Sequence, residues 1–185
     1  RGETALVTGE LVYVFANPAT QTSLPVPQPL REALQAYESG EPMVSVALGG
    51  WADLGVEAHP LRKAVFVDEQ KIPAELEWDT ADASALHALA RNRFGQVLAT
   101  GRLTEPAPGV GKIGRMAVLH SARGGGVGRA VLDALTGASR QRGLHEVMLQ
   151  AQVSAEPFYA RAGFVPRGPR FEVAGIAHQE MVRAA

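Results

Sequence analysis

Apolar and polar residues alternate along the chain with two different periods, which predict strands and helices. Stretches rich in β-branched and other apolar residues, typical of strands, lie at residues 44–48, 85–90, 96–103, 112–119, 145–151 and 171–182. Segment 126–142 instead places apolar residues three and four positions apart and is followed by Gly143, which predicts a helix with one buried face. Shorter helices are predicted to include residues 60–66 and 156–162, with Pro60 opening a helical turn. This order of elements predicts a mixed α/β domain.

The first forty residues differ from the rest. Residues 5–15 are rich in β-branched and aromatic side chains and predict a strand, and residues 30–37 predict a short helix that begins just after a proline. A strand and a helix of this size cannot bury a core alone, so we expect this piece to pair with something else. We therefore predict two domains, residues 1–42 and residues 43–185. Because the chain starts at Arg1 rather than at a methionine, we expect it to be a piece of a longer protein.

Composition and charge exclude several classes of protein. The 185 residues are 46% hydrophobic, enough for one full core, and the net charge of −1 gives no overall attraction to nucleic acid or to an anionic membrane. No apolar stretch approaches the ~18 residues that a membrane helix needs. The absence of cysteine excludes disulfides, thiol catalysis and cysteine-bound zinc, and the five histidines lack metal-binding spacing. With no signal-peptide pattern, we expect a cytoplasmic protein without a metal, a nucleic-acid partner or a membrane.

The most informative segment joins a predicted strand to the predicted helix 126–142. After the strand come the residues Arg123-Gly-Gly-Gly-Val-Gly-Arg129. Glycines let the backbone fold around an anion, and the first N–H groups of a helix point at it with the positive end of the helix dipole behind them. A nucleotide P-loop does not fit, because Gly128 is followed by arginine and alanine, and neither does the G-x-G-x-x-G dinucleotide fingerprint. The segment therefore predicts a phosphate-binding turn of another kind.

This turn resembles the Arg/Gln-x-x-Gly-x-Gly/Ala motif of the GNAT family of N-acetyltransferases, here Arg123-x-x-Gly126-x-Gly128. The preceding Met-Ala-Val is similar to the family's pantetheine-binding strand, and residues 158–164 are similar to its Tyr-x-x-x-Gly-Phe helix end. Other segments resemble the ElaA-like branch of the family, namely residues 61–70, Asp79 with Asp82, His87, residues 151–152 and residues 175–178. Several motifs in the right order, spread over residues 43–185, make the resemblance specific.

The resemblance implies a fold and an activity. The fold is the GNAT fold, a mostly antiparallel, splayed sheet flanked by helices, here with a short N-terminal strand–helix appendage. The activity is transfer of an acetyl group from acetyl-CoA (coenzyme A) directly to an amine in a ternary complex. We therefore expect an enzyme, an N-acetyltransferase, whose partner is a small-molecule or exposed amine substrate.

The matched motifs also imply the site residues. The CoA pyrophosphate would be held by the turn residues Arg123, Gly124, Gly125, Gly126, Val127, Gly128 and Arg129. The backbone of Met116, Ala117 and Val118 would bind pantetheine, and the N–H of Met116 or Ala117 would polarise the thioester carbonyl. Tyr159 would protonate the departing thiolate. The cofactor-binding set is completed by Phe158 and by Gln152, which substitutes for an asparagine of the family.

The resemblance leaves the general base open. Many family members carry a glutamate on the fourth or fifth strand, but glutamines occupy the fifth strand here, at Gln150 and Gln152. The candidates, besides a chain of waters, are Glu69, Glu77, Asp79 and His178, of which we assign Glu69 to the catalytic set.

Charge is divided unevenly along the chain. Residues 112–170 contain nine basic side chains against three acidic ones, which suits a phosphate-rich cofactor. Residues 68–82 contain six acidic side chains against Lys71 alone, which favours a cationic amine as acceptor.

Residues 9–15 and 27–34 are similar to the last strand and tail of hotdog-fold acyl-CoA thioesterases of the 4-hydroxybenzoyl-CoA type. The catalytic acid of that family lies near its own N-terminus, which this chain lacks, so the piece would not hydrolyse thioesters by itself. The resemblance predicts the end of a thioesterase domain fused upstream. Two alternatives to acetyl transfer stay open, namely one part of a bifunctional acyl-CoA thioesterase and a non-catalytic CoA-binding module. A homodimer and the fused upstream domain stay open as protein partners.

Overall fold

A computed structural model describes residues 9, 10 and 12–185. They form two compact units, with the boundary between Met43 and Val44.

The first unit contains two short strands and one helix. Strands β1 (Ala16–Asn17) and β2 (Thr22–Ser23) pair antiparallel, and helix α1 (Gln28–Glu38) begins after a proline, as its sequence predicts. The predicted strand 5–15 is wrong for residues 12–15, which form no strand and in which Val12, Tyr13 and Val14 are exposed. An extended segment needs a neighbour paired along its length, and among the described residues only the N–H of Leu24 bonds to its backbone, at the carbonyl of Phe15. Residues 5–8 and 11 of that prediction lie outside the described residues.

The second unit is built on an eight-stranded sheet with the order β3-β4-β5-β6-β7-β10-β8, in which β9 pairs with β10. Its strands are β3 (Val44–Gly49), β4 (Leu86–Asn92), β5 (Val97–Ala107), β6 (Val110–Val118), β7 (Glu146–Gln152), β8 (Val165–Pro166), β9 (Phe171–Val173) and β10 (Ile176–Ala184). All neighbours pair antiparallel except β6 and β7, which are parallel. The mixed, mostly antiparallel fold class predicted from the sequence is confirmed.

Helices cover both faces of this sheet. They are α2 (Trp51–Arg62), which continues as a π-helix over Lys63–Glu69, then α3 (Ala74–Glu77), α4 (Val127–Gln141) and α5 (Glu156–Ala160). On one face, α4 and α5 share a buried cluster with the odd-numbered residues of β7, among them Leu149 and Ala151. On the other face, α2 and the π-helix pack on β4 and β6, where Ala117 lies buried with Leu61 and Phe66.

The structure differs from the sequence prediction around Pro60. That residue was expected to open a helical turn, but it lies inside α2, near its C-terminal end. Proline removes one backbone hydrogen bond from a helix, and the chain continues from Lys63 with the wider π-helical pattern. The connection 71–83 contains α3 and a 3₁₀ turn over Thr80–Ala83.

The parallel pair of strands at the centre of the sheet separates part of the way along. Strands β6 and β7 pair from Val110 opposite Glu146 to Ile113 opposite Leu149, and beyond that point they have no paired residues. The divergence coincides with a bulge in β6, where Arg115 has a φ of 51° and the register to β5 shifts. The bulge bends β6 away from β7, so the sheet is open exactly where the residues Met-Ala-Val follow.

Candidate functional site

A cleft of about 1310 Å³ opens in the second unit where β6 and β7 part. Its walls come from both strands, from the glycine turn before α4, from α5, and from residues of the connection after the π-helix. The predicted cofactor-binding residues that line it are Met116, Val118, Arg123, Gly124, Gly126, Gly128, Arg129, Gln152, Phe158 and Tyr159.

Four of the predicted site residues do not line the cleft. The side chain of Ala117 is buried on the opposite side of β6, and that of Val127 is buried in the core beneath α4. Gly125 lies in the turn without lining the cleft, and Glu69 is held in an ion pair outside it.

The glycine turn presents backbone N–H groups without intrahelical partners. The first helical bond of α4 runs from the N–H of Ala130 to the carbonyl of Gly126, so the N–H groups of the three preceding residues have none. Gly126 caps the helix with a φ of 80°, in the left-handed region that favours glycine, and a Cβ there would meet only open space. The turn therefore fits a bound pyrophosphate, with donors and a helix dipole aimed at one place.

Arg123 holds this turn in place and does not point a free guanidinium into the cleft. Its Nε donates to the carbonyl of Val118 at 3.1 Å, and its two Nη atoms bind both carboxylate oxygens of Glu69 at 2.7 and 2.8 Å. The hydrogen bond from Arg123 lowers the pKa of Glu69 below the usual carboxyl range. The pair ties the glycine turn to the end of the π-helix, and a carboxylate engaged in this way is a weak base.

The backbone of β6 faces the cleft at alternate residues. The N–H of Leu119 donates to Leu98 of β5. Because N–H directions alternate along an extended strand, Ala117 also faces β5, whereas Val118 and Met116 face the gap left by β7. The carbonyl of Val118 is bonded to Arg123, so the N–H of Met116 is a donor at the gap with no partner strand.

Tyr159 lies in the wall of the cleft on α5. Its ring packs edge-on against Phe158 and Phe164, with ring centroids 4.9 and 6.1 Å away. The residue is only 9% exposed, and burial raises the pKa of its phenol to about 12. The hydroxyl is a protonated donor that makes no hydrogen bond to any described residue.

A hydrogen bond crosses the cleft at its middle. The side-chain amide of Gln152, at the end of β7, donates to Gln70 at 2.9 Å, just after the π-helix. Both residues line the cleft. Gln152 is therefore positioned where a pantetheine arm between the two strands would run.

The acidic segment 68–82 is neutralised by basic side chains of the same unit. Asp68 pairs with Lys63, Glu69 with Arg123, Glu77 with Arg62 and Arg115, Asp79 with Arg102 and Arg115, and Asp82 with Arg62 and Arg102. Arg102 holds the pKa of Asp79 down at about 2. Of the six acids, only Glu75 has no such partner among the described residues, so the segment carries little unpaired negative charge, and the cationic acceptor stays a prediction.

Several cleft-lining side chains were not singled out from the sequence. Arg161 lines the cleft beside the glycine turn, and its charge was noted only within the basic excess of residues 112–170. Arg115, which bridges the bulge in β6 to the carbonyls of Leu76 and Glu77, was likewise counted only within that basic excess. Ile113 and Leu149 close the cleft where the two strands part, and this could not be read from their apolar character.

The described part of the chain holds neither a cluster of metal ligands nor a membrane-spanning helix. Among residues 9, 10 and 12–185, no group of three or more histidine, aspartate or glutamate side chains could hold a metal ion. Over the same residues, every helix is too short or too polar to cross a membrane.

Comparison with known proteins gives consistent matches. Residues 54–185 match the family model of the acetyltransferase (GNAT) domain. The uncharacterized N-acetyltransferase YjcF of Bacillus subtilis is 37% identical over 128 residues, which cover 69% of this chain and 90% of that protein. The crystal structure of an acyl-CoA N-acyltransferase from Pseudomonas aeruginosa is 33% identical, with a TM-score of 0.69 over 76% of this chain and 99% of the other. Escherichia coli ElaA is 25% identical, with a TM-score of 0.68 and the same coverage.

Proposed function

Since the chain belongs to the acetyltransferase (GNAT) family, we propose that it transfers an acetyl group from acetyl-CoA directly to an amine while both substrates are bound. Membership makes it an acyl-CoA-dependent acyltransferase. The acetyl donor, the amine acceptor and the direct route are the parts that we propose.

One observation carries the proposal. The parting of β6 and β7 leaves the N–H of Met116 without a partner strand, in the same cleft as the donor-rich turn before α4. A thioester needs a donor at its carbonyl oxygen, where negative charge develops, and CoA needs donors at its pyrophosphate. A single groove offers both.

Different residues along the cleft would bind different parts of acetyl-CoA. The N–H groups of Val127, Gly128 and Arg129 would hold the pyrophosphate, and the backbone of Val118 and the amide of Gln152 would hold the pantetheine arm. Bound acetyl-CoA supplies an activated acyl group. The N–H of Met116 would stabilise its carbonyl oxygen, which typically lowers a barrier by ~3 kcal/mol.

Tyr159 would face the departing sulfur as a donor. Because its pKa of about 12 lies well above that of an ordinary thiol, near 8.5, complete proton transfer to a thiolate is unfavourable. We therefore propose that the phenol donates a hydrogen bond to the sulfur as its charge develops.

A short acyl group fits the closed end of the cleft. Ile113 and Leu149 are the last paired residues before the strands part, and both are almost fully buried. Their side chains limit the depth available beyond the thioester, which supports acetyl over longer groups.

The test is binding of acetyl-CoA by calorimetry, followed by release of CoA thiol with a panel of amines that includes polyamines and peptide N-termini. We expect micromolar binding and thiol release that depends on the amine. Thiol release without amine would favour a thioesterase instead. Binding without any turnover across the panel would favour a non-catalytic CoA-binding module.

A further inference from the structure

We propose that His178 is the general base of this site and that it accepts the proton of the attacking amine on its Nε2 atom. This inference rests on the proposed function, and it names a catalytic group that the sequence left open among four candidates.

A hydrogen bond determines the tautomer of this imidazole. Nδ1 of His178 lies 2.8 Å from the backbone carbonyl of Ile176. A carbonyl only accepts, so Nδ1 carries the hydrogen in the neutral ring and Nε2 keeps its lone pair. The ring also stacks on Phe171, with centroids 6.0 Å apart and planes 23° apart, which restricts its rotation.

The basic nitrogen is accessible. Nε2 makes no hydrogen bond to any described residue. Among those residues, Glu156 Oε1 is the single fully buried side-chain polar atom without a hydrogen-bond partner, so Nε2 is in contact with solvent. His178 lines the cleft and is only partly buried. An accessible, unprotonated nitrogen in the wall of the cleft has the chemistry that a general base requires.

The sheet places His178 on the face away from Tyr159. His178 lies opposite Gln152 in the register of β10 and β7, so the two side chains share a face. Leu149 and Ala151 point to the other face, where they share a buried cluster with Tyr159. Base and phenol therefore lie on opposite faces of β7, as needed if the amine approaches from one side and the sulfur departs on the other.

The carboxylates that compete for this role are already engaged. Glu69 is bound by both Nη atoms of Arg123 outside the cleft lining, and Asp79, with its pKa of about 2, is a very weak base. Burial raises the pKa of Glu77, but its side chain is only 3% exposed, and its two oxygens contact Arg62 and Arg115. An amine could reach Glu77 only by breaking those ion pairs.

The proton and electron changes balance without another reactant. The amine nitrogen forms a bond to the acyl carbon, and the carbon–sulfur bond breaks with its electron pair going to sulfur. The proton lost by the nitrogen goes to Nε2 of His178. Tyr159 donates a hydrogen bond to the thiolate, and His178 then returns its proton through solvent, from which the sulfur is protonated.

The closing experiment compares His178→Asn and His178→Ala with the wild type, using acetyl-CoA and the best amine from the panel. Asparagine keeps an N–H for the Ile176 carbonyl but has no basic nitrogen, so kcat should fall about 10²-fold while acetyl-CoA binding by calorimetry is unchanged. Added imidazole should raise the rate of the His178→Ala variant at least tenfold. The exposed His145, outside the cleft lining, provides the control variant His145→Asn, which should keep wild-type kcat.

A second readout needs no substrate. Nitrogen-15 NMR of the ligand-free protein should show His178 with hydrogen on Nδ1 in its neutral form, in a signal that His178→Asn removes. Hydrogen on Nε2, a His178→Asn kcat within threefold of wild type, or no response to imidazole would each overturn the assignment. A wild type that binds acetyl-CoA but acylates no amine would instead overturn the proposed function, and the base with it.

Discussion

At the scale of single residues, the site depends on which polar atoms the protein leaves unpaired. Arg123, Glu69 and Asp79 look like binding or catalytic groups in the sequence, yet each is engaged in an ion pair within the second unit. The phenol of Tyr159 and Nε2 of His178 make no hydrogen bond to any described residue, and the N–H of Met116 has no partner in β7. Buried or half-buried polar groups usually have hydrogen-bond partners in the protein, so a group without one indicates where a ligand would supply the partner.

Removing the phenol oxygen tests the role of Tyr159. Tyr159→Phe keeps the ring and its packing on Phe158 and Phe164, so acetyl-CoA binding should stay close to wild type. Loss of a donor to a developing anion should lower kcat about 10²-fold in the thiol-release assay.

Two controls accompany this variant. Tyr37→Phe makes the same change at an exposed position of the first unit and should have no effect on kcat. Because the pKa of Tyr159 is about 12, the wild-type rate should show no loss from phenol deprotonation between pH 8 and pH 10. A Tyr159→Phe kcat within threefold of wild type would reduce the residue to a packing role.

At the scale of elements, the turn before α4 combines a local backbone preference with the anion-binding function that we propose for it. The helix has an apolar face from Val131 to Leu135 that packs on the sheet, and its N-terminus lacks any side-chain cap. A side-chain oxygen at that position would occupy the N–H groups that a pyrophosphate needs. Gly126 in the left-handed region lets the chain enter the helix without such a cap.

Two glycines of this region should respond oppositely to alanine. Gly126→Ala forces a side chain into the left-handed region and should lower the free energy of unfolding by ~1–2 kcal/mol, with weaker acetyl-CoA binding. Gly137→Ala, inside α4 with nothing within 4 Å of the added Cβ, should raise it by ~0.5–1 kcal/mol. Urea unfolding measures both changes, and a shift of the two variants in the same direction would contradict this explanation.

At the scale of the whole molecule, charges far apart in sequence hold one side of the second unit together. Arg62 of α2, Arg102 of β5 and Arg115 of β6 bind the carboxylates of the connection 77–82. Three cations and three anions form one network, which fixes that connection against the sheet. The connection forms the wall of the cleft on the face of His178.

This network should make the stability of the protein depend on acid pH. The pKa of Asp79 is about 2 in the folded protein, below its ordinary 3.8, so its contribution is present above pH 4 and is lost as the pH falls toward 2. The side chain is 38% exposed, so solvent screening reduces the effect below what the shift alone implies. Asp79→Asn should therefore be less stable than wild type at pH 7, with the difference shrinking toward pH 2.

The measurement is the thermal unfolding temperature of each variant across this pH range, monitored by circular dichroism. Glu75→Gln is the matched control, because Glu75 makes no ion pair with any described residue and should follow the wild type throughout. A difference between Asp79→Asn and wild type that stays constant from pH 7 to pH 2 would show that ionisation of Asp79 is not the cause.

The sequence was sufficient wherever the determinant is local. The apolar pattern of residues 126–142 predicted α4 within a few residues, and the glycines and the strand before it predicted the turn and β6. Both predictions succeeded because helix periodicity and the backbone freedom of glycine depend on near neighbours in sequence. It failed at residues 12–15 and at Pro60, where pairing with a neighbour and helix continuation decide the outcome. The thioesterase-like interpretation of the N-terminal piece stays a prediction.

The tertiary structure decided which of the candidate groups are available for chemistry. The carboxylates of Glu77, Asp79 and Asp82 differ in which arginines reach them, and those arginines lie on α2, β5 and β6. The tautomer of His178 and its side of the sheet follow from a carbonyl two residues away and from the β10–β7 register. Local sequence determined most elements and the glycine turn, whereas pairing between distant segments, which depends on three-dimensional distance, decided which side chains stay unpaired.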